Sequence, residues 1–478
     1  MPDRSKLFLR KHQVENLEFF RSKARAFSLL PFGAGKGPIS VVRIGDLMPC
    51  RTLIVSTAGM LYKWVREVKI WGHPDWKVAL LYGHKDARIA AFKKFHHVGV
   101  INFDGLRVLM DAVGPEEFAR TYNVKIIDEI HAAKNPEGDI AMDLAYVCHP
   151  NFCDYVYGLT GSPVLESPRD IWPLMRIVSP SIFSANAPGA YDRWLERYFI
   201  LDGEEKPDGT KAYPKWTPRP GAMDELADKL HSISFRRDRK DIDANYPVQQ
   251  FDEPHIFELR GAARDAYDEA SGRLSLDVSR DRISLVSIYP RLEKLCQLAR
   301  GWCYDKRGKP VYFRPMGSIE ALEDLMESTR HPGRRTVIWA QRMPDMDLIS
   351  DLLGKMGKSH YLIYGRVSLK NRNKLLRAFN EGRFSTLVAH PLSIGEGLDL
   401  EATYSFRYSY RWSAREYDQT IGRVCRMTSE ARTVTYKDFI ARNTIDAGII
   451  GAVRKKLDIG GLIVRDRRLL TQEAAHAV

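Results

Sequence analysis

Two separate stretches of the chain alternate short apolar runs with amphipathic segments, and this alternation constrains the fold more than any other feature. From about residue 26 to 185 the runs are AFSLL, RTLIVST, VGVINFD, VKIIDEI and DYVYGLT. From about 334 to 450 they are TVIWAQ, HYLIYG, STLVAHP, TYSFRYSY and RTVTYKDFI. Parallel strands need a crossover between them, usually a helix, and bury both faces, so strand-length apolar runs separated by helical patterns predict parallel sheets covered by helices. The expectation is an α/β chain with two lobes. Between them the character changes: a charged, Pro- and Gly-rich stretch, DGEEKPDGTKAYPKWTPRPG, precedes helical-looking segments such as IYPRLEKLCQLARGW. The expected division is a first lobe over 1–185, a mainly helical insertion and linker over 186–333, a second lobe over 334–450 and a basic tail over 451–478. At 478 residues, more than one core is needed.

Lys and Arg outnumber Asp and Glu by 73 to 60, and the net charge of +13 favours a polyanionic partner such as nucleic acid. A solvated basic surface gives the same number, so motifs must decide. The six cysteines form no C-x-x-C pair and have no nearby His cluster at zinc-ligand spacing, which predicts buried thiols in a reducing compartment. The start, MPDRSKLFLRKHQ, has no apolar run behind its charges, and no stretch of about 18 apolar residues occurs, so neither secretion nor membrane spanning is expected. The expected setting is the cytoplasm, and the expected state a monomer.

In LLPFGAGKGPISVV, Gly33, Ala34, Gly35, Lys36 and Gly37 fall after a candidate strand and before a candidate helix. A glycine-rich turn there offers backbone amides and a helix N-terminus to phosphates, Lys36 reaches the β- and γ-phosphates, and Pro38 suits an early helical position. Gly37 stands where such a loop normally carries the Ser or Thr that binds magnesium, and Ser40, one turn on, is a poorly placed substitute. The fragment alone suits a glycine turn without nucleotide equally well. Further on, VKIIDEIHAAKN ends a strand in Asp128, Glu129, Ile130 and His131. Asp128 can hold Mg²⁺ against phosphates and Glu129 can handle an attacking water; alternatively both acids simply match a helix dipole. In YDQTIGRVCRM, Gln419, Gly422, Arg423 and Arg426 have Q-x-x-G-R-x-x-R spacing, which puts the two arginines on one helix face. Such a pair can stabilise charge on a transferring phosphoryl group, or serve as a basic surface.

Taken in order, these segments resemble the Swi/Snf-type branch of helicase superfamily two, over about Leu7 to Asp446. Gly33 to Lys36 resembles motif I and Asp128 to His131 the DExH form of motif II. TLIVSTAGMLYKWVREVKIW resembles motif Ia, with Ser56 and Thr57 in its turn and Lys63 on the Trp-containing helix that follows. YVYGLTGSPVLESPRDIW, with Thr160 and Ser162, resembles motif III, and LRKHQ resembles the N-terminal element in which Gln13 pairs with adenine. HSISFRRDRKDIDANYP, with Arg236 and Arg237, resembles the basic segment closing the first lobe in this branch. STLVAHPLSIGEGLDL resembles motif V, with Ser393, Gly395, Gly397 and Asp399, and YDQTIGRVCRM resembles motif VI.

The resemblance implies two RecA-like lobes with ATP and Mg²⁺ as cofactors and Asp128 as the metal anchor. It implies Lys36, Asp128, Glu129, Arg423 and Arg426 as catalytic residues. Gln13, Gly33, Ala34, Gly35, Lys36, Gly37, Gly397, Asp399 and Gln419 are expected to bind ATP. Ser56, Thr57, Lys63, Thr160, Ser162 and Ser393 are expected to contact nucleic acid. Duplex or branched DNA is the expected partner, with RNA as the alternative. The implied activity is ATP-driven movement on DNA; a non-enzymatic nucleic-acid-binding scaffold with a degenerate ATP site is the competing class, suggested by Gly37.

Overall fold

The β-branched run RTLIVST extends because its residues suit a pleated surface buried on both sides. In the resulting strand Leu53 and Val55 enter one hydrophobic core and Ile54 the other. The same switch recurs between Ile126 and Ile127, so helices cover both faces of one sheet. The structure, a computed structural model, describes residues 7–31, 33–161, 167–202, 215–242, 248–279, 285–329, 333–394, 400–424 and 433–464.

The chain divides into two compact units, one comprising Met1–Ala244 with Lys456–Val478 and the other Asn245–Lys455. In the first, α1 (Lys11–Ser22) precedes β1 (Arg25–Leu29), then come α2 (Lys36–Asp46), β2 (Thr52–Ser56) and α3 (Leu61–Trp71). The sheet continues with β3 (Val78–Leu81), β4 (Val98–Asn102), β5 (Val124–Asp128) and β6 (Tyr155–Leu159). A hairpin of β7 (Phe199–Asp202) and β8 (Lys215–Pro218) follows, and β9 (Ser234–Arg236) then returns to the sheet edge. The order is β3-β4-β2-β5-β6-β1-β9, and each pairing between neighbours is parallel. Thus the segment beginning at 186, expected as insertion and linker, supplies an edge strand through its Phe235 stretch, while its residues after Ala244 belong to the second unit.

In the second unit β10 (Val248–Phe251) and β11 (His255–Phe257) precede a hairpin of β12 (Trp302–Tyr304) and β13 (Pro310–Tyr312). Then come β14 (Thr336–Trp339), β15 (His360–Ile363), β16 (Thr386–Ala389), β17 (Tyr404–Arg407) and β18 (Thr433–Ala441). The order is β10-β18-β17-β14-β16-β15, with β11 also on β18, again through parallel pairs. Two parallel seven-stranded sheets with helices around them make the α/β two-lobe, RecA-like architecture expected from the alternation and the resemblance. The thiols described are unpaired, and burial pushes Cys148 up to about 12 and Cys296 up to about 11, which keeps both protonated and inert. No described helix is long and apolar enough to cross a membrane.

The second sheet carries a buried charge network. Arg407 of β17 and Asp438 of β18 form an ion pair with almost no exposure; the Tyr417 hydroxyl donates to Asp438 Oδ2 at 3.2 Å and Arg454 Nη2 reaches it at 2.9 Å. Tyr417 lies on the helix Ala414–Val424, which also carries Arg423. Removing one partner of a buried pair strands the other charge, so Asp438→Asn should cost about 3–5 kcal/mol of unfolding free energy, read by urea denaturation. Burial raises the Asp438 carboxyl, but Arg407 and the other donors outweigh it and hold the group below its ordinary value. The folded-state pKa is depressed, so this stabilisation is fully present above the unfolded carboxyl value of about 3.9 and is lost as pH falls below it through the lower folded value. Asp438→Asn should remove that part of the acid dependence.

Candidate active site

Strand register brings the site together. Between β2 and β5, Val55 is opposite Ile127, so Ser56 and Asp128 end their strands as neighbours. Asp128 is opposite Leu159 on β6, and Leu159 is opposite Ser28 on β1, which places Thr160 and the loop after β1 alongside. Carboxyl ends of adjacent parallel strands are where open α/β sheets receive ligands.

The loop after β1 turns through Gly33 (φ 84°) and Gly35 (φ 79°), left-handed conformations that favour glycine. Gly35 is tight for a second reason: a Cβ there would sit 2.2 Å from Gln13 Nε2. Helix α2 starts at Lys36 directly after this turn, so its N-terminal amides point into the loop, and Pro38 lies in the first turn, where no amide is needed. The Lys36 ammonium donates to the carbonyls of Leu30 (2.8 Å) and Pro31 (3.4 Å). Gln13 is engaged at both ends: Oε1 accepts from the Arg10 amide at 2.8 Å and Nε2 donates to the Gly35 carbonyl at 3.1 Å. His12 Nε2 lies 2.9 Å from the Ala34 carbonyl, which adds a second tie between α1 and the loop.

At Gly37 an added Cβ would meet Glu67 Cγ and Cδ at 3.5 Å, ordinary van der Waals contact, so the space does not by itself demand glycine. The nearby hydroxyl does not replace the missing one: Ser40 is fully buried and donates to the Lys36 carbonyl at 2.9 Å. A helical hydroxyl bonded to the carbonyl four residues back points along its own helix.

Asp128 is almost fully buried, and its Oδ2 accepts from Ser56 Oγ at 2.9 Å and from Trp64 Nε1 at 2.7 Å. Glu129 follows with φ 51° and ψ 47°, a left-handed conformation that costs a non-glycine residue about 1–2 kcal/mol. Glu129 Oε2 lies 3.3 Å from His131 Nδ1, and that nitrogen lies 2.9 Å from Thr160 Oγ1. The buried His131–Thr160 contact therefore joins the ends of β5 and β6, with the Glu129 carboxylate beside the imidazole. A hard carboxylate fixed at a strand end beside a phosphate-type loop suits Mg²⁺, which takes one or two carboxylates and keeps its other positions for phosphate oxygens and water.

The residues expected at nucleic acid occupy different settings. Ser56 is fully buried with its hydroxyl on Asp128, and Thr160 is fully buried against His131. Thr57 is half-buried at the start of the Ala58–Met60 turn, and Lys63 is exposed on α3. Ser393 closes the Pro391–Ser393 turn after β16, its amide donating to the His390 carbonyl at 2.9 Å. Arg423 is 4% exposed near the end of its helix, and its carbonyl accepts from the Leu400 amide at 3.0 Å. Gln419 lies on the same helix, its side chain outside the described residues, and Ser162, Gly395, Gly397, Asp399 and Arg426 also lie outside them. Sequence reasoning missed the Trp64 indole as a partner of Asp128; its one signal was an aromatic with a polar handle on the buried helix face.

Comparison with known proteins finds matches along most of the chain. The family profile of the SNF2-related domain matches residues 7–298, and that of the helicase conserved C-terminal domain matches residues 317–428. Human SWI/SNF-related matrix-associated actin-dependent regulator of chromatin subfamily A member 1 is 21% identical, over 98% of this chain and 44% of that protein. The chain thus spans less than half of that relative's length. A protein of Acyrthosiphon pisum secondary endosymbiont phage 1 is 24% identical over 84% of each chain. Among solved structures, the Sulfolobus solfataricus SWI2/SNF2 ATPase core in complex with dsDNA is 17% identical, with 94% of this chain and 91% of that one covered and a TM-score of 0.43.

Proposed function

The chain belongs to the SNF2-related family of superfamily-two helicases, and on that premise we propose that it is a DNA-dependent ATPase that moves along duplex or branched DNA. The observation that carries this reading is the joined strand ends: a glycine loop with Lys36 after β1, Asp128 and Glu129 after β5, and the His131–Thr160 bond to β6. In this proposal the loop amides and Lys36 bind the phosphates. Asp128 would hold Mg²⁺, which would supply neutralising charge to the bound phosphates. Glu129 orients the attacking water and takes its proton, while Arg423 and Arg426 stabilise charge on the transferring phosphoryl group. Thr160 relays the state of motif II toward the track through His131. Cycles of lobe closure then advance the chain, and branch migration, fork remodelling or strand annealing are the proposed duties.

Contacts mainly to phosphates, through Thr57, Lys63 and Ser393, fit the +13 charge and give slight sequence preference. Affinity for a duplex should fall with salt at a log–log slope of about −0.9 per phosphate neutralised, measured by fluorescence anisotropy. Movement itself is tested by displacement of a third strand from a DNA triplex: displacement that needs ATP and fails in Glu129→Gln supports the proposal. ATP turnover without displacement on any duplex or junction contradicts it. Gly37 favours one second reading, a nucleic-acid-binding scaffold, and that reading expects no turnover on any DNA or RNA.

A further inference from the structure

We propose that Trp64 is a positioning residue for magnesium: with Ser56, its indole N–H holds the Asp128 carboxylate in the one orientation from which it can anchor the ion. The inference rests on the Mg-nucleotide reading of this site and assigns it a residue outside the loop and the DExH sequence.

The sequence puts Trp64 there for two reasons that act together. Helix α3 buries Leu61, Trp64 and Val68, a one-face pattern of i, i+3 and i+7, so the indole body belongs to the core beside Ile39 and Ile54. An indole nitrogen is a donor only, and when buried it needs an acceptor. Trp64 is 3% exposed, and its acceptor is Asp128 Oδ2 at 2.7 Å. Ser56, brought alongside by the β2–β5 register, donates to the same oxygen at 2.9 Å. A free carboxylate rotates about its last torsion between two nearly equivalent settings. Two short, charge-assisted bonds to one oxygen remove that freedom and fix where Oδ1 points.

This matters more here than in a chain with a complete glycine loop. Gly37 offers no hydroxyl to the ion, and Ser40 is committed to the Lys36 carbonyl. Asp128 is therefore left as the protein's anchor on this side, and its orientation governs how well the ion binds. Groups that orient a metal-binding carboxylate typically contribute about 10- to 100-fold to metal affinity.

The test is a Mg²⁺ titration of the binding of a fluorescent ATP analogue to the full chain, native and substituted. Trp64→Phe keeps an aromatic body in the core and removes the donor; Ser56→Ala removes the other donor from the same oxygen. Half-saturating Mg²⁺ should rise about tenfold or more in Trp64→Phe, in the same direction in Ser56→Ala, with binding at saturating Mg²⁺ restored to the native level. A purely structural role would instead lower binding equally at every Mg²⁺ concentration, and that result overturns the proposal. A Mg²⁺ curve for either folded variant that superimposes on the native one overturns it too, leaving the nucleotide site intact. If the native chain binds the analogue without any dependence on Mg²⁺, this inference and the site reading beneath it both fall. Should Trp64→Phe not fold, the Ser56→Ala curve decides the question.

Discussion

Glu129→Gln should leave ATP and DNA binding near native while lowering DNA-stimulated turnover by about 10²–10⁴-fold. The amide preserves size and keeps an acceptor oxygen, but it cannot take a proton from water. The backbone supports this choice of residue: Glu129 sits in a left-handed conformation at the end of β5, and strain of this kind persists only where surrounding packing holds it. Its carboxylate is also 3.3 Å from His131, so Gln keeps a polar group beside the imidazole and spares the link to Thr160. Stopped-flow phosphate release with parallel binding isotherms separates the two quantities. A Glu129→Gln chain that turns over ATP within about threefold of native would remove Glu129 from the mechanism.

A second large effect is expected at Arg426. Arg426→Ala should cost about 10³-fold or more in turnover with ATP binding retained, the behaviour of an arginine that acts only as charge develops on the phosphoryl group. Arg426→Lys should recover little, because a lysine ammonium does not reproduce the planar, forked donor set. Arg423, three residues earlier, is 4% exposed, so its removal would mix catalysis with packing. Equal losses of nucleotide affinity and turnover in Arg426→Ala would assign it to ground-state binding instead.

Much of this architecture could be read from the chain because parallel strands in a covered sheet are apolar throughout. Runs such as RTLIVST and VKIIDEI announce themselves, and the polar residues that end them mark the ligand side. Partnerships across strands were harder. Ser56 ends β2 in a motif whose turn is expected to contact nucleic acid, and the β2–β5 register brings its hydroxyl to Asp128. Sequence spacing carries no register, so the bond was invisible. Gln13 is expected at adenine; its ties to the Arg10 amide and the Gly35 carbonyl, 22 residues on, are likewise not carried by spacing. Lys125 breaks the apolar run of β5 but is fully buried, its ammonium donating to the carbonyls of Ala119 and Tyr122. Arg407 within TYSFRYSY likewise reads as a surface charge, while Asp438, distant in sequence, pairs with it inside the sheet. Composition predicts burial for apolar groups; for charged ones burial depends on a partner that only the fold supplies.

The most direct measurement of the central claim is steady-state ATP hydrolysis by the full chain with Mg²⁺, alone and with duplex DNA, a four-way junction, single-stranded DNA or RNA, beside Lys36→Ala. The account predicts hydrolysis stimulated most by duplex or branched DNA and abolished by Lys36→Ala. Hydrolysis absent on every nucleic acid at every Mg²⁺ concentration, with Lys36→Ala binding DNA as the native chain does, would contradict it.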